Sequence, residues 1–491
     1  MDSPNRPESD EDSRRDLGIA LSGGGHRATL FTLGALLYIV DARANERISS
    51  VASVSGGSIT NGYVAQECDF GTVKVPEFDV LAGRLVRALV RRGLVSPRRG
   101  IGLLFFAVLL LLIGATVVAG FFGYPWWVSG GLVLASVCFF QSRGWILERQ
   151  LLRFLFRDAN GKPTLLNGLK NKTTVHTVCA TELNAPSPIY FIGWGRGSVR
   201  SPRYGWGYGS SVRLASAVRS SASLPGAFPP KLLSSRQLDF SPDPGGPKKA
   251  PPWLFLSDGG IWNNLATQWF EGDGIADSGG FRPVTPQREG TPEVDPLSLS
   301  LVVVDGSGQE SSVSGIRFAL PGVAEVTTLL RVLDVLYVNT VWPRVRSFDQ
   351  NTLNYWRWGQ HPRWDLDFDR TTAVASLARP RDWWTGGRLM GGPPETEEAF
   401  SVRRQSWAAC YQALPDPLCT AYPTFPSKEG LPDFCAREGT HLGRVKEEVA
   451  IALLMRGYLS TMAAMHITYG TGLVDFNEER FLRLLPPSTG P

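Results

Sequence analysis

Twice between residues 16 and 66 the chain runs from a short apolar stretch, through small residues, into a segment of helical spacing. Residues 16–22 (Asp-Leu-Gly-Ile-Ala-Leu-Ser) have the length of a buried strand and lead into Gly23, Gly24 and Gly25. Residues 27–41 then place Leu30, Leu33, Leu37 and Val40 near a period of 3.6. Residues 49–54 predict a second strand and residues 56–66 a second helix, joined at Ser55. Parallel strands need a crossover between them, and a helix is the usual one. The alternation therefore predicts an α/β fold, with helices on a mainly parallel central sheet.

Later segments extend the pattern. Residues 173–180 form a β-branched strand, and residues 189–192 look like its hairpin partner. Residues 193–209, rich in Gly, Arg and aromatics, read as a mobile loop. A helix is expected over 211–221, and strands over 253–257 and 297–304. Residues 241–252 and 272–296 are loops rich in Pro and Gly. Long helical patterns cover 323–346 and 442–469.

The segment 101–123 contains no charge. As a helix it is about 34 Å long, enough to cross a hydrocarbon core of about 30 Å. A second apolar run, 126–140, is about 22 Å by the same rise. Tyr124, Pro125, Trp126 and Trp127 read as an aromatic turn between them. Arg91, Arg92, Arg98 and Arg99 precede the pair, and Arg143 and Arg149 follow it. Basic flanks are retained on the cytoplasmic side, which puts both ends of the hairpin, and the α/β part that it interrupts, there. A hairpin dipped into one leaflet and a pair of buried core helices are the other readings. Uncharged runs of this length are uncommon in soluble cores.

Bulk composition narrows the function. A net charge of +5 on 491 residues, with no basic stripe interleaved with aromatics, does not point to nucleic acid. The six cysteines form no C-x-x-C pair, so no zinc or redox site is expected. They fit a reducing compartment, although Cys410, Cys419 and Cys435 are able to pair in an oxidising one. Residues 1–16 are polar and lack the apolar core of a secretory signal, so a disordered tail is expected.

Ser55 is the candidate nucleophile. It lies between strand and helix among Ser53, Gly56, Gly57 and Ser58, and a strained strand-to-helix elbow needs neighbours this small. The helix start beside it favours negative charge. Ser53 replaces the usual first glycine of G-x-S-x-G. Gly23, Gly24 and Gly25 offer backbone N–H groups to an oxyanion, with Arg27 holding the loop or adding charge. A phosphate cradle is the rival use of such a turn, but neither G-x-G-x-x-G nor a P-loop lysine is present. Asp258, at the end of an apolar strand, is the candidate base, and Gly259 and Gly260 leave room beside it. A Ser-His-Asp triad is the competing mechanism. Of the five histidines, His26 lies in the glycine loop, His176 falls mid-strand, and His361, His441 and His466 carry no motif. A Ser–Asp dyad is therefore favoured.

Taken together, Ser22–Ala28, Ser55-Gly56-Gly57-Ser58, Arg219–Pro230 with its final Phe-Pro-Pro, and Asp258-Gly259-Gly260 followed by Asn263-Asn264 resemble the patatin-like phospholipase family. Cys179–Asn184 resembles a strand end of that family. The resemblance runs from about residue 17 to 307, is faint over 323–469, and leaves the apolar hairpin as an insertion. It implies a three-layer patatin-like sandwich and a serine lipid acyl hydrolase needing no metal or cofactor. Ser55 and Asp258 would be catalytic, Gly23, Gly24, Gly25 and Arg27 would serve the oxyanion, and Gly259, Gly260, Asn263 and Asn264 would support the base. Membrane lipids would be both substrate and anchor. The expected organisation is a tail (1–16), a first catalytic part (17–97), the hairpin (98–143), a second catalytic part (144–310) and a helical part completing the core (311–491). A lipid transacylase and a non-catalytic membrane protein on the same fold are the alternatives.

Overall fold

The computed structural model describes residues 17–94, 101–241, 249–271, 300–306, 375–378 and 397–486, apart from 416, 417, 420, 429 and 440. The expected tail, Arg98, Arg99, the helical pattern at 323–346, His361 and most of the two Pro/Gly-rich loops lie outside them.

Ten strands form one sheet. They are β1 (Leu17–Leu21), β2 (Ile48–Val54), β3 (Val175–Glu182), β4 (Ser187–Gly193), β5 (Ser198–Ser201), β6 (Gly205–Tyr208), β7 (Lys231–Ser234), β8 (Trp253–Asp258), β9 (Ser300–Val304) and β10 (Ala375–Ala378). The path runs β10-β9-β1-β2-β3-β4-β5-β6, with β8 joining β3 and β7 joining β8. The four central strands, β9-β1-β2-β3, are mutually parallel, and antiparallel strands flank them. Central strands are buried along nearly their whole length (β1 and β3 without exception), as a sheet covered on both faces requires.

The helices are α1 (Gly25–Asp41), α2 (Ser55–Glu67), α3 (Val75–Arg91), α4 (Ile101–Phe121), α5 (Trp126–Gln141), α6 (Arg143–Phe154), α7 (Leu214–Ser221), the short α8 (Gly260–Asn263) and α9 (Gln268–Glu271), then α10 (Glu397–Ala413), α11 (Leu431–Ala436), α12 (Glu447–Tyr469) and α13 (Glu478–Leu484). Helix α1 is buried from Gly25 to Val40, so it is enclosed on every side rather than laid on the surface. Its partner is α12. A Cβ at Gly34 would overlap the Leu454 carbonyl oxygen, and one at Gly457 would overlap that of Phe31. The two helices thus touch backbone to backbone.

Two apolar helices of similar composition have opposite settings. Along α12 the most apolar stretch is 89% buried, whereas along the continuous helical segment Trp126–Phe154 it is 11% buried. Helices α4 and α5 form an antiparallel hairpin with its side chains outward: Leu111 is 72% exposed, Phe121 85% and Trp126 84%. The buried-core reading of this hairpin is therefore overturned. Pro125 stands immediately before α5, so Trp126 and Trp127 open that helix instead of sitting in the turn.

Residues 193–209 differ from their reading as a mobile loop. They contain β5 and β6, which extend the sheet antiparallel from β4. Glycines at 193, 195, 197, 205, 207 and 209 hid the alternation that marks a strand. The amphipathic helices α3 and α6 add to the expected elements; in α3, Phe78, Leu81, Leu85 and Leu89 recur at helical spacing and are buried. The late helix begins at Glu447 rather than 442. All six cysteines are free.

Candidate functional site

The elbow at Ser55 is built by the sheet. Strand β2 ends at Val54 in extended backbone (φ −130°), and Ser55 opens α2 with φ +49°. A non-glycine residue in that left-handed region is strained by about 1–3 kcal/mol, and such strain persists where the surroundings enforce it. The surroundings here are close backbones. A Cβ on Gly56 would overlap the Gly25 carbonyl oxygen, and one on Gly57 would stand 2.7 Å from the Leu21 and Ser22 carbonyl oxygens. Gly57 N–H donates to Ser22 O at 3.1 Å. Thr29 Oγ1 donates to both Gly25 O (3.0 Å) and Gly56 O (2.9 Å), tying the two turns together.

The competing hydroxyls are occupied and fully buried. Ser53 Oγ donates to Thr177 O at 3.0 Å and accepts from Ser58 Oγ and Asn61 Nδ2. Ser55 alone of the three is half-exposed. Its backbone N–H donates to Ser221 Oγ at 2.8 Å. Ser221 lies within the Arg219–Pro230 segment but carried no sequence signal of its own, since the contact spans 166 residues.

Asp258 reaches the elbow through strand register. Val54 pairs with Cys179 on β3, and Asp258 pairs with the next residue, Ala180. Strand β4 occupies the other edge of β3 along this stretch. Strands β2 and β8 therefore approach head-on along one edge of β3, at partners one rise of about 3.3 Å apart. A Cβ on Gly259 would stand 3.1 Å from Val54 Cγ2 and overlap the Cys179 carbonyl oxygen, so that position admits only glycine. Asp258 is 1% exposed. Its Oδ1 accepts the Gly260 N–H at 2.8 Å, and Thr181 Oγ1 donates to its carbonyl oxygen at 2.9 Å. Burial pushes the Cys179 thiol up to about 12, which rules it out as a thiolate nucleophile beside Ser55.

The glycine loop meets the elbow from the other side. A Cβ on Gly23 would stand 3.2 Å from Ser55 Cβ and overlap Asn264 Oδ1. Gly23 N–H donates to the Asn264 carbonyl at 3.0 Å. The expectation that all three glycine amides face an oxyanion is corrected to this extent, because the first is committed to Asn264. The N–H groups of Gly24 (φ +143°) and Gly25 (φ +59°) have no partner among the described residues. Arg27 is buried, with Nε donating to Gly306 O at 3.1 Å and Nη1 to Glu438 O at 2.7 Å. It holds the loop in place. Asn263 Oδ1 accepts the Leu265 N–H and its Nδ2 donates to Thr267, which caps the turn after α8.

The four described histidines are engaged elsewhere. His26 packs edge-on to His441, with ring centroids 6.0 Å apart. His176 Nδ1 is 2.6 Å from Asn61 Oδ1, His441 Nε2 is 2.7 Å from Glu438, and His466 Nδ1 is 2.7 Å from Thr471 O. Burial lowers both His26 and His176 to about 3. Among the described residues no cluster of His, Cys, Asp and Glu is arranged to hold a metal ion.

Fold and site together define an α/β protein with a strained serine at a strand-to-helix elbow. No protein-family model matches the chain, and no curated protein matches it. Solved structures similar to parts of it include the two that follow. Human GIVD cytosolic phospholipase A2 is 16% identical over 40% of this chain and 24% of its own, with a TM-score of 0.19. VipD from Legionella pneumophila is 14% identical over 51% of this chain and 47% of its own, with a TM-score of 0.23. The chain thus spans about a quarter of the first and about half of the second.

Proposed function

We propose that this protein is a membrane-associated serine acyl hydrolase of the patatin-like type, releasing fatty acid from glycerolipid esters. The observation that supports the reading is the head-on meeting of β2 and β8 against β3, with Ser55 (φ +49°) following β2, Asp258 closing β8 and Gly23 lying against Ser55.

In this reading the Asp258 carboxylate takes the proton of Ser55 Oγ as that oxygen attacks the ester carbonyl. The Gly24 and Gly25 amides, with the start of α2, hold the charge that develops on the carbonyl oxygen. The alcohol leaves with the proton from Asp258, and an acyl group remains on Ser55. Water, deprotonated by Asp258, then attacks the acyl-enzyme; the bond from the acyl group to Ser55 Oγ breaks, Asp258 returns the proton to that oxygen, and the fatty acid is freed. Arg27 positions the loop from behind through Gly306 and Glu438. The exposed apolar hairpin, with its basic flanks, anchors the catalytic part on the cytoplasmic face of a membrane.

The test is release of free fatty acid from mixed phospholipid vesicles, with covalent capture of Ser55 by a fluorophosphonate. Ser55→Ala should abolish both, and Asp258→Asn should depress release on the order of 10⁴-fold. Undiminished fatty-acid release by either variant would refute the assignment.

A further inference from the structure

Helix α6 begins two residues after the apolar hairpin ends, and Arg143 lies over the Phe140 ring at 3.5 Å. Trp145, Arg149 and Arg153 follow at intervals of four, so they share one face. That face lines a cavity of about 710 Å³, completed by Arg157, Arg213 and Lys231. The one carboxylate in the lining, Glu148, is taken by Lys231 Nζ at 2.6 Å. The four arginines form no ion pair among the described residues. Arg157 is fixed by neutral acceptors, the carbonyl oxygens of Leu152 (3.2 Å) and Gly161 (3.1 Å), and Arg149 lies over the Trp145 ring at 4.9 Å. These contacts orient the Arg149 and Arg157 guanidinium groups without compensating their charge.

We infer that this cavity binds the headgroup of an anionic lipid carrying a phosphomonoester on a polyol or sugar. The inference rests on the proposed membrane placement of the hairpin. Guanidinium forks match phosphate oxygens, and a doubly charged monoester satisfies more than one fork at once. Position along the helix selects the headgroup. Arg149 lies about 12 Å along the axis past the end of α5, and the polar zone of a leaflet is about 5–8 Å deep. A phosphodiester held at the glycerol stays near Trp145, whereas a phosphate on an extended headgroup reaches the arginines. The lipid would dock the catalytic part at a fixed orientation beside its substrate.

The full chain in detergent micelles is given phosphatidylinositol or phosphatidylinositol 4-phosphate, and the lipid kept through gel filtration is measured by mass spectrometry. The expected result is at least a roughly tenfold preference for the phosphorylated lipid. That preference should vanish in the Arg149→Gln/Arg213→Gln variant, while its thermal unfolding and fluorophosphonate labelling are unchanged. Equal retention of the two lipids, or an undiminished preference in the variant, overturns the proposal. Soluble inositol phosphate competing as tightly as the lipid assigns the cavity to a free phosphate ligand and overturns the lipid source. Alkaline carbonate extraction separates the premises. Release of the chain from membranes removes the membrane reading and the lipid assignment with it, whereas an anchored chain without the preference removes the cavity assignment alone.

Discussion

Ser221 holds Ser55 by its backbone: the Ser221 Oγ accepts the Ser55 N–H at 2.8 Å and shares a 3.0 Å hydrogen bond with Ser58 Oγ. The elbow is therefore fixed from α7, a helix far away in sequence. Ser221→Ala leaves a backbone N–H without its partner, at a cost of about 1–3 kcal/mol. The rate of fluorophosphonate labelling at Ser55 should fall roughly tenfold or more for a 1.4 kcal/mol loss. An unaltered rate would show that the elbow keeps its shape without α7.

Gly23 separates Asn264 from Ser55. Gly23→Ala inserts a methyl that overlaps Asn264 Oδ1 and presses on Ser55 Cβ. Esterase turnover should drop by about 10²-fold, as for loss of an oxyanion donor, with only a small change in unfolding temperature. Turnover near the wild-type value, measured beside a melting curve, would count against a role for this loop.

Arg480 on α13 joins three parts of the core. It pairs with Asp41 at the end of α1 and with Asp79 on α3, the latter at 2.6 Å, and Tyr458 donates to Asp41 at 2.7 Å. Asp41 is almost wholly enclosed, its side chain 5% exposed. Arg480→Ala leaves that carboxylate short of its cation and should cost about 3–5 kcal/mol. The unfolding temperature should fall clearly, while labelling of Ser55 in the still-folded protein is retained.

Acid should destabilise the fold through two histidines. Burial, with a smaller push from His441 in the case of His26, lowers His26 and His176 to about 3 from an ordinary 6.5. Below pH 6.5 the unfolded chain takes up protons that the folded chain refuses. Stability is therefore full above about pH 6.5 and falls toward pH 3, by about 1.4 kcal/mol per pH unit for each histidine. Unfolding midpoints across that range should show the slope, and His176→Asn should make it shallower. A flat profile would place these rings in water.

Leu111 sits at the middle of α4 and is 72% exposed. Leu111→Arg should cost about 2.5–3.5 kcal/mol of insertion if the helix enters a bilayer. Carbonate extraction of membranes would then release more of the variant than of the parent. Equal retention of both would mean that α4 does not carry the anchoring.

Much of the candidate site is legible in the sequence because its parts are local. Small residues around Ser55, three glycines after β1 and an aspartate closing an apolar strand each mark a backbone turn that chemistry of this kind needs. Local pattern also set the central strands, α1, α2 and the hairpin helices to within a few residues. It failed where side-chain periodicity was weak. Glycine spacing concealed β5 and β6, whereas α3 and α6 carry a clear helical period in the sequence. Hydropathy alone did not separate α12 from the segment 126–154, whose most apolar stretches are equally apolar.

By itself the sequence determined where the chain must turn and which residues at those turns are candidates for reactive groups, because turns depend on φ, ψ and side-chain size within a few residues. Only the tertiary structure decided that β8 ends against β3 one residue beyond β2, that Gly23 spends its amide on Asn264, and that α12 is enclosed while α4 and α5 stand outside. Those outcomes depend on hydrogen-bond register and packing between segments up to hundreds of residues apart, and no local pattern of residue types encodes which edge or face a distant segment will meet.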